Sequence, residues 1–242
     1  MSSDTDNARI VYQALSLVED AMKDGYKSGL PIPEIAEARA LEGSVSTPAK
    51  TRRAPLADSL PAIAADAARC IACRLSAGRT RSVPGEGSSH PLVMVIGEGP
   101  GSEEDKTGHA FVGPAGQLLD KMLKAINLSR HENCFIGNIV KCRPPMNRDP
   151  APDEQTACMT FLDRQLAILK PKAILAVGRI PAQALLGVKT GIGRIRGSVY
   201  DFRGIPLVAT YHPSALLRDD TLKRPAWEDL KLLRAVLDDQ ES

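Results

Sequence analysis

Along the second half of this chain, short unbroken apolar runs alternate with longer stretches in which apolar residues recur every three or four positions. The runs PLVMVIG, CFIGNIV, AILAVG and IPLVATY are short and almost wholly apolar, the pattern of strands buried on both faces. Between them, GQLLDKMLKAI and DEQTACMTFLDRQLAIL carry helical spacing. Strands alternating with helices predict an α/β fold, a three-layer α/β/α sandwich around a mostly parallel central sheet. One further helix is expected at SLPAIAADAARC, from about Leu60, and it leads directly into a C-x-x-C.

The first quarter of the chain has a different texture. Val11, Leu15, Val18 and Met22 stand at helical spacing among charged residues, predicting an amphipathic helix that ends between Gly25 and Gly29. Such a helix needs a partner surface, either the rest of the chain or another protein. The run GSVSTPAKTRRAP is too polar and too rich in breakers to pack, so residues 44–56 read as a linker. The expected division is an N-terminal helical extension with its linker over 1–59 and a single globular domain over 60–242.

Composition adds limits. With 242 residues, 43% of them hydrophobic, the chain can bury one substantial core, and a monomer is the expectation. A formal charge of only +2 means that any nucleic-acid role rests on a local basic face. No run approaches the roughly 20 apolar residues of a membrane span, and MSSDTDNAR lacks the basic-then-apolar order of a secretory signal, so a cytoplasmic location is expected. In that reducing setting five cysteines read as metal ligands plus a spare thiol.

In parallel α/β sheets ligands gather beyond the carboxyl ends of the strands, so the loops after each run are where chemistry is sought. The first, GEGPGSEEDKTGHAFVGPAG, is crowded with glycine around acidic residues. It lacks G-x-G-x-x-G spacing, and Glu98 stands where a phosphate would be repelled, which argues against dinucleotide binding; a plain solvated acidic loop is the simpler alternative for Glu103, Glu104 and Asp105. The second begins at Asn138 and continues as KCRPPMNRDP, with Lys141, Arg143 and Arg148 forming a basic cluster around Cys142. The third, YHPSALLR, places His212 before a proline and ends an apolar tip in Arg218.

These loops together resemble the family 4 uracil-DNA glycosylases, the iron-sulfur branch of their superfamily. The likeness runs from about Cys70 to the C-terminus and rests on GEGPGSEEDKTG with FVGPAGQLL, on NIVKCRPPMNR, on HPSALLR, and on four cysteines in the family's order. Ala110, where the family usually has proline, and the extension before residue 60 depart from the pattern. A related branch that traps DNA through a histidine carries an insertion near the second motif; this chain lacks it, and ordinary turnover is implied.

The resemblance implies hydrolysis of the bond between deoxyribose and a uracil flipped out of the helix, through a sugar cation and a departing uracil anion. By its terms Phe111 stacks on the uracil, the Gly99 backbone and Asn138 read its edge, and His212 donates to O2. Of the two carboxylates, Glu104 is expected to face the attacking water and Glu98 to shape the pocket beside Gly99. The tip of the third loop, with Ser214, Leu216 or Leu217 as wedge, and Arg218, is expected to meet DNA along with Arg143 and Arg148; both leucines packing inward is the alternative.

Four thiolates at Cys70, Cys73, Cys142 and Cys158 suit either zinc or an iron-sulfur cluster by spacing alone. The resemblance implies a 4Fe-4S cluster with a structural role. Cys134, inside an apolar run, is read as a buried small hydrophobe. The competing class is a catalytically silent iron-sulfur DNA-binding module whose extension recruits a repair or replication partner.

Overall fold

The computed structural model describes residues 58–240. The expected helix near Val11–Met22 and the linker at 44–56 lie outside the described residues. Helix α1, Leu60–Arg69, is capped by the Ser59 hydroxyl, which accepts from the Ala62 N–H at 3.2 Å. Asp58 just before it grips Arg164 with both oxygens, at 2.7 and 2.8 Å.

Six strands follow: β1 Glu86–Gly87, β2 Val93–Gly97, β3 Cys134–Asn138, β4 Ala173–Val177, β5 Val199–Phe202 and β6 Ile205–Thr210. They form one sheet in the order β1-β3-β2-β4-β6-β5. The four predicted strands are its parallel centre. The two edge strands are antiparallel and escaped the sequence reading. One is only two residues long, and the other has partly exposed residues where the expected signal is an apolar run.

Alternation along β2 sends Met94 and Ile96 to one face of the sheet and Val93 and Val95 to the other, each into its own core. The first face is covered by α1, by α4 (Pro152–Leu169) and by α5 (Arg179–Leu186). The second is covered by α3 (Pro114–Lys124), α7 (Pro213–Arg218) and α8 (Lys223–Asp239). Two short helices, α2 (Ser102–Thr107) and α6 (Ile192–Ile195), complete the α-helices of the described residues. The three-layer α/β/α sandwich with a mostly parallel sheet is therefore the observed fold.

The acidic segment, for which a solvated loop is the simpler alternative by sequence, is helix α2. Its Asp105 is buried, and one carboxylate oxygen accepts from the Thr80 N–H at 2.9 Å. Among the described residues no helix is long and apolar enough to cross a membrane.

Candidate active site and cysteine cluster

All four central strands end on the same side, and the residues just beyond them converge. Past β2 and β3 the ladder continues for two bonds, Ile139 N–H to Gly97 O at 2.9 Å and Val140 N–H to Glu98 O at 3.1 Å, which fixes Glu98 beside Asn138. Asn138 is 1% exposed, and its Oδ1 has no hydrogen-bond partner. A buried amide oxygen left unpaired carries a desolvation cost of about 1–3 kcal/mol, which marks a place built for a donor from elsewhere. Gly97 makes the space: a Cβ there would lie 2.4 Å from that Oδ1 and 2.5 Å from the Phe111 ring.

Phe111 adopts a left-handed backbone, φ 53°. Non-glycine residues rarely do so, and bulky ones least of all. The Gly116 Cα lies so close beneath this turn that a Cβ would meet the Phe111 carbonyl oxygen at 1.7 Å. Arg130 holds the turn from outside, donating from Nη1 to the Ala110 carbonyl at 2.8 Å and from Nη2 to the Phe111 carbonyl at 2.9 Å. Sequence reasoning missed Arg130, because nothing in its local pattern points to a segment nineteen or more positions away.

Across from Phe111 lies His212, ring centroids 5.7 Å apart. Its Nδ1 caps α7, accepting from the Ser214 N–H at 3.1 Å with the Ser214 hydroxyl at 2.8 Å. With Nδ1 as acceptor, the proton of the neutral ring sits on Nε2. Burial, reinforced by Arg218, pulls its pKa down to about 4, against the opposing pull of Glu104. The imidazole is thus neutral at ordinary pH and offers a single N–H.

The two carboxylates differ in their partners. Both oxygens of Glu104 are committed to backbone: Oε1 accepts from Val112 and Gly113 at 2.9 and 3.0 Å, and Oε2 from Gly101 at 3.1 Å. It ties the start of α2 to the Phe111 turn. The Glu98 carboxylate accepts no hydrogen bond among the described residues, and burial together with the nearby Asp149 charge raises its pKa to about 7, with Arg179 opposing.

Several expected DNA contacts are placed otherwise. The third-loop tip is helix α7, and Leu216 is 2% exposed within the core beside Leu119 and Leu230, so it cannot serve as a wedge. Leu217 is 51% exposed and Arg218 lies outside as well. Ser214 is turned to His212. Arg148 spends both terminal nitrogens on Glu154, at 2.8 and 2.7 Å, whereas Arg143 stays at the surface with its Nε on Asn147. Lys141 is not part of a surface basic cluster: it is 1% exposed, and its Nζ donates to the Asn138 carbonyl and to Gln165, both at 2.9 Å. Burial lowers its pKa to about 8, with Cys158 opposing.

Cys70, Cys73, Cys142 and Cys158 line one small pocket beside α1 and α4. The Arg79 guanidinium donates to the Cys142 sulfur at 3.0 Å, and the Lys141 N–H to the Cys158 sulfur at 3.2 Å. Among the described residues no three His, Cys, Asp or Glu side chains converge closely enough to hold one metal ion. A set of four thiolates is a donor set suited to an iron-sulfur cluster or to zinc. Cys134 is fully buried in the core on the other face of the sheet.

Comparison with known proteins agrees with this geometry. The profile of the Uracil DNA glycosylase superfamily matches residues 84–231. A type-4 uracil-DNA glycosylase of Sulfurisphaera tokodaii is 42% identical over 74% of this chain and 85% of that protein. Those of Thermotoga maritima and Pyrobaculum aerophilum are each 42% identical, over 70% and 67% of this chain and 90% and 87% of theirs. With the pocket, the sheet and this degree of identity in agreement, the chain belongs to the uracil-DNA glycosylase superfamily and, within it, to the type-4 enzymes.

Proposed function

We propose that this chain removes uracil from DNA by hydrolysing the bond between the base and its deoxyribose, leaving an abasic site for base excision repair. The observation that carries this reading furthest is the unpaired Asn138 Oδ1, buried at a strand end beside Phe111. It is an acceptor awaiting the N3–H of a uracil, while the Nδ2 of the same amide donates to O4. Cytosine inverts that pattern and leaves both sides unpaired, a mismatch that typically discriminates strongly.

Phe111 supports the face of the flipped base, and the Gly99 backbone lies along its edge. His212 donates from Nε2 to O2, where negative charge gathers as the bond breaks. Glu98 takes the role expected of Glu104: as a carboxylate it accepts a proton from the attacking water and offsets the sugar cation. Glu104 orders the loop that presents Phe111. On the DNA side, Leu217 is the exposed leucine of α7, and Arg218 and Arg143 are the cations available to phosphate.

The four cysteines would hold a 4Fe-4S cluster, which supplies cross-links between the Cys70–Cys73 segment and the proline loop and takes no part in the hydrolysis. The cavity, the N–H donors on two of the sulfurs and the absence of a single-ion convergence among the described residues support it over zinc. The protein would work as a monomer in the cytoplasm. The catalytic domain would be residues 60–242, with residues 1–59 as an extension that either packs on it or recruits a protein partner.

The test is cleavage of a uracil-containing oligonucleotide after alkaline treatment of the product, with the parent and His212→Ala. Release by the parent and a strong loss in the variant establish the reaction and its pocket. Absence of release from a parent that retains iron and sulfide leaves the silent binding module as the reading.

A further inference from the structure

We propose that Arg130 is a positioning residue that fixes the Phe111 ring over the pocket by clamping the backbone of its turn. The proposal rests on the stacking role given to Phe111 above.

Arg130 lies in the segment just before β3, outside every motif that carries the family likeness. Its side chain is only 11% exposed, and each guanidinium nitrogen has a specified partner. Nε donates to Asp120 at 2.8 Å, Nη1 to the Ala110 carbonyl at 2.8 Å, and Nη2 to the Phe111 carbonyl at 2.9 Å. Glu86, on edge strand β1, sits 3.3 Å from Nη1 and accepts there as well. Two carboxylates thus set the plane of the fork, and the fork reads two consecutive carbonyls.

That arrangement suits an odd backbone. A bulky residue in the left-handed region is strained and persists only where its surroundings over-determine it. On the inner side the turn is set by Gly116 and Glu104, and on the outer side by Arg130. Planar recognition of two carbonyls at a fixed angle is a task for a guanidinium, which lysine cannot perform with a single ammonium. Without the fork, two buried carbonyls lose their donors, the turn relaxes, and the ring leaves its place between Gly97 and His212.

The experiment combines single-turnover excision, inhibition by free uracil, and the 19F spectrum of full-length protein carrying 4-fluorophenylalanine. With four phenylalanines in the chain, a Phe111→Leu variant assigns the relevant line. Arg130→Ala and Arg130→Lys should each shift or broaden the Phe111 line, slow excision about tenfold and weaken uracil inhibition in step. In a Phe111→Ala background the further loss from Arg130→Ala should fall below about twofold, since both changes remove one function. An equal loss with and without Phe111, or an unmoved 19F line, overturns the proposal. The spectrum answers even if the parent releases no uracil, an outcome that strikes the glycosylase reading alone. Should Arg130→Ala unfold, Asp120→Ala removes the acceptor that sets the plane of the fork and, by loosening its hold on the two carbonyls, should move the same line; an unmoved line there counts against the proposal equally.

Discussion

The rings of Phe111 and His212 stand 5.7 Å apart, their planes tilted by 32°. A base needs about 3.5 Å of clearance on each face to be sandwiched, or ~7 Å in all, so it cannot slip between them. It must stack on Phe111 alone and meet His212 by its edge. His212→Ala should therefore cut the single-turnover rate about 100- to 1000-fold while changing KM little, because the lost bond is made chiefly to the departing anion. A large rise in KM with kcat preserved would contradict this placement.

The pH profile distinguishes the two titrating groups of the pocket. Glu98, with its pKa raised to about 7, must ionise to accept a proton, so kcat/KM should climb with pH through about 7. His212, held down to about 4, is already neutral throughout that range and contributes no limb. Glu98→Gln should lower activity and abolish the dependence.

Stability carries the same signature with the opposite sign. A carboxyl whose folded pKa is raised favours the fold below its unfolded value of 4.5, and that contribution is lost as pH rises through about 7. Glu98→Gln should thus raise Tm relative to the parent at pH 8 and leave it nearly unchanged at pH 4.5. For His212 the lowered pKa means that stability is full above 6.5 and declines as pH falls toward about 4.

Glu104→Gln should behave as a structural lesion. A glutamine has one acceptor oxygen where the glutamate serves three backbone donors with two, and its NH2 would face an N–H. A loss of about 1–3 kcal/mol in urea unfolding is expected, with residual activity showing the pH dependence of the parent. Intact stability with abolished turnover would return the water to Glu104.

Gly116→Ala tests the close approach under Phe111. A methyl placed 1.7 Å from a carbonyl oxygen forces the start of α3 away from the turn. The cost should be about 1–3 kcal/mol of stability, and uracil binding should weaken with it.

At the cysteine end, Glu154 is fully buried and joins Arg74 at 2.7 Å, Arg148, and the Ala151 N–H at 2.7 Å. The Arg148 guanidinium beside it is the leading cause of a pKa near 2. Glu154→Ala should cost about 2 kcal/mol, moderated because both arginines can turn to water. If the four cysteines hold the proposed cluster, it should also speed the loss of iron to a chelator, since Arg74 follows Cys73 directly.

The elements legible in the sequence were those whose signal is local. Each central strand is an unbroken apolar run, and Asn138 and His212 stand out because they follow such runs. Buried charge was not legible. Arg130, Lys141 and Glu154 look like surface residues until Asp120, Gln165 and Arg74 are brought to them by the fold. The commitment of Glu104 to backbone donors was hidden because the N-cap of α2 is Gly101, so no Ser or Thr announces the capping role of the glutamate three positions on. Leu216 and Leu217 could not be told apart until six residues proved to be a helix, one side of which is core.

His212 occupies two offices at once, cap of α7 and donor to the pocket, and the helix it caps is the one that carries Leu217 and Arg218 outward. No slack loop separates the two tasks. On the proposed reading, a duplex meeting Leu217 bears on the helix that the imidazole caps, so the grip on DNA and the aim of the His212 N–H are coupled.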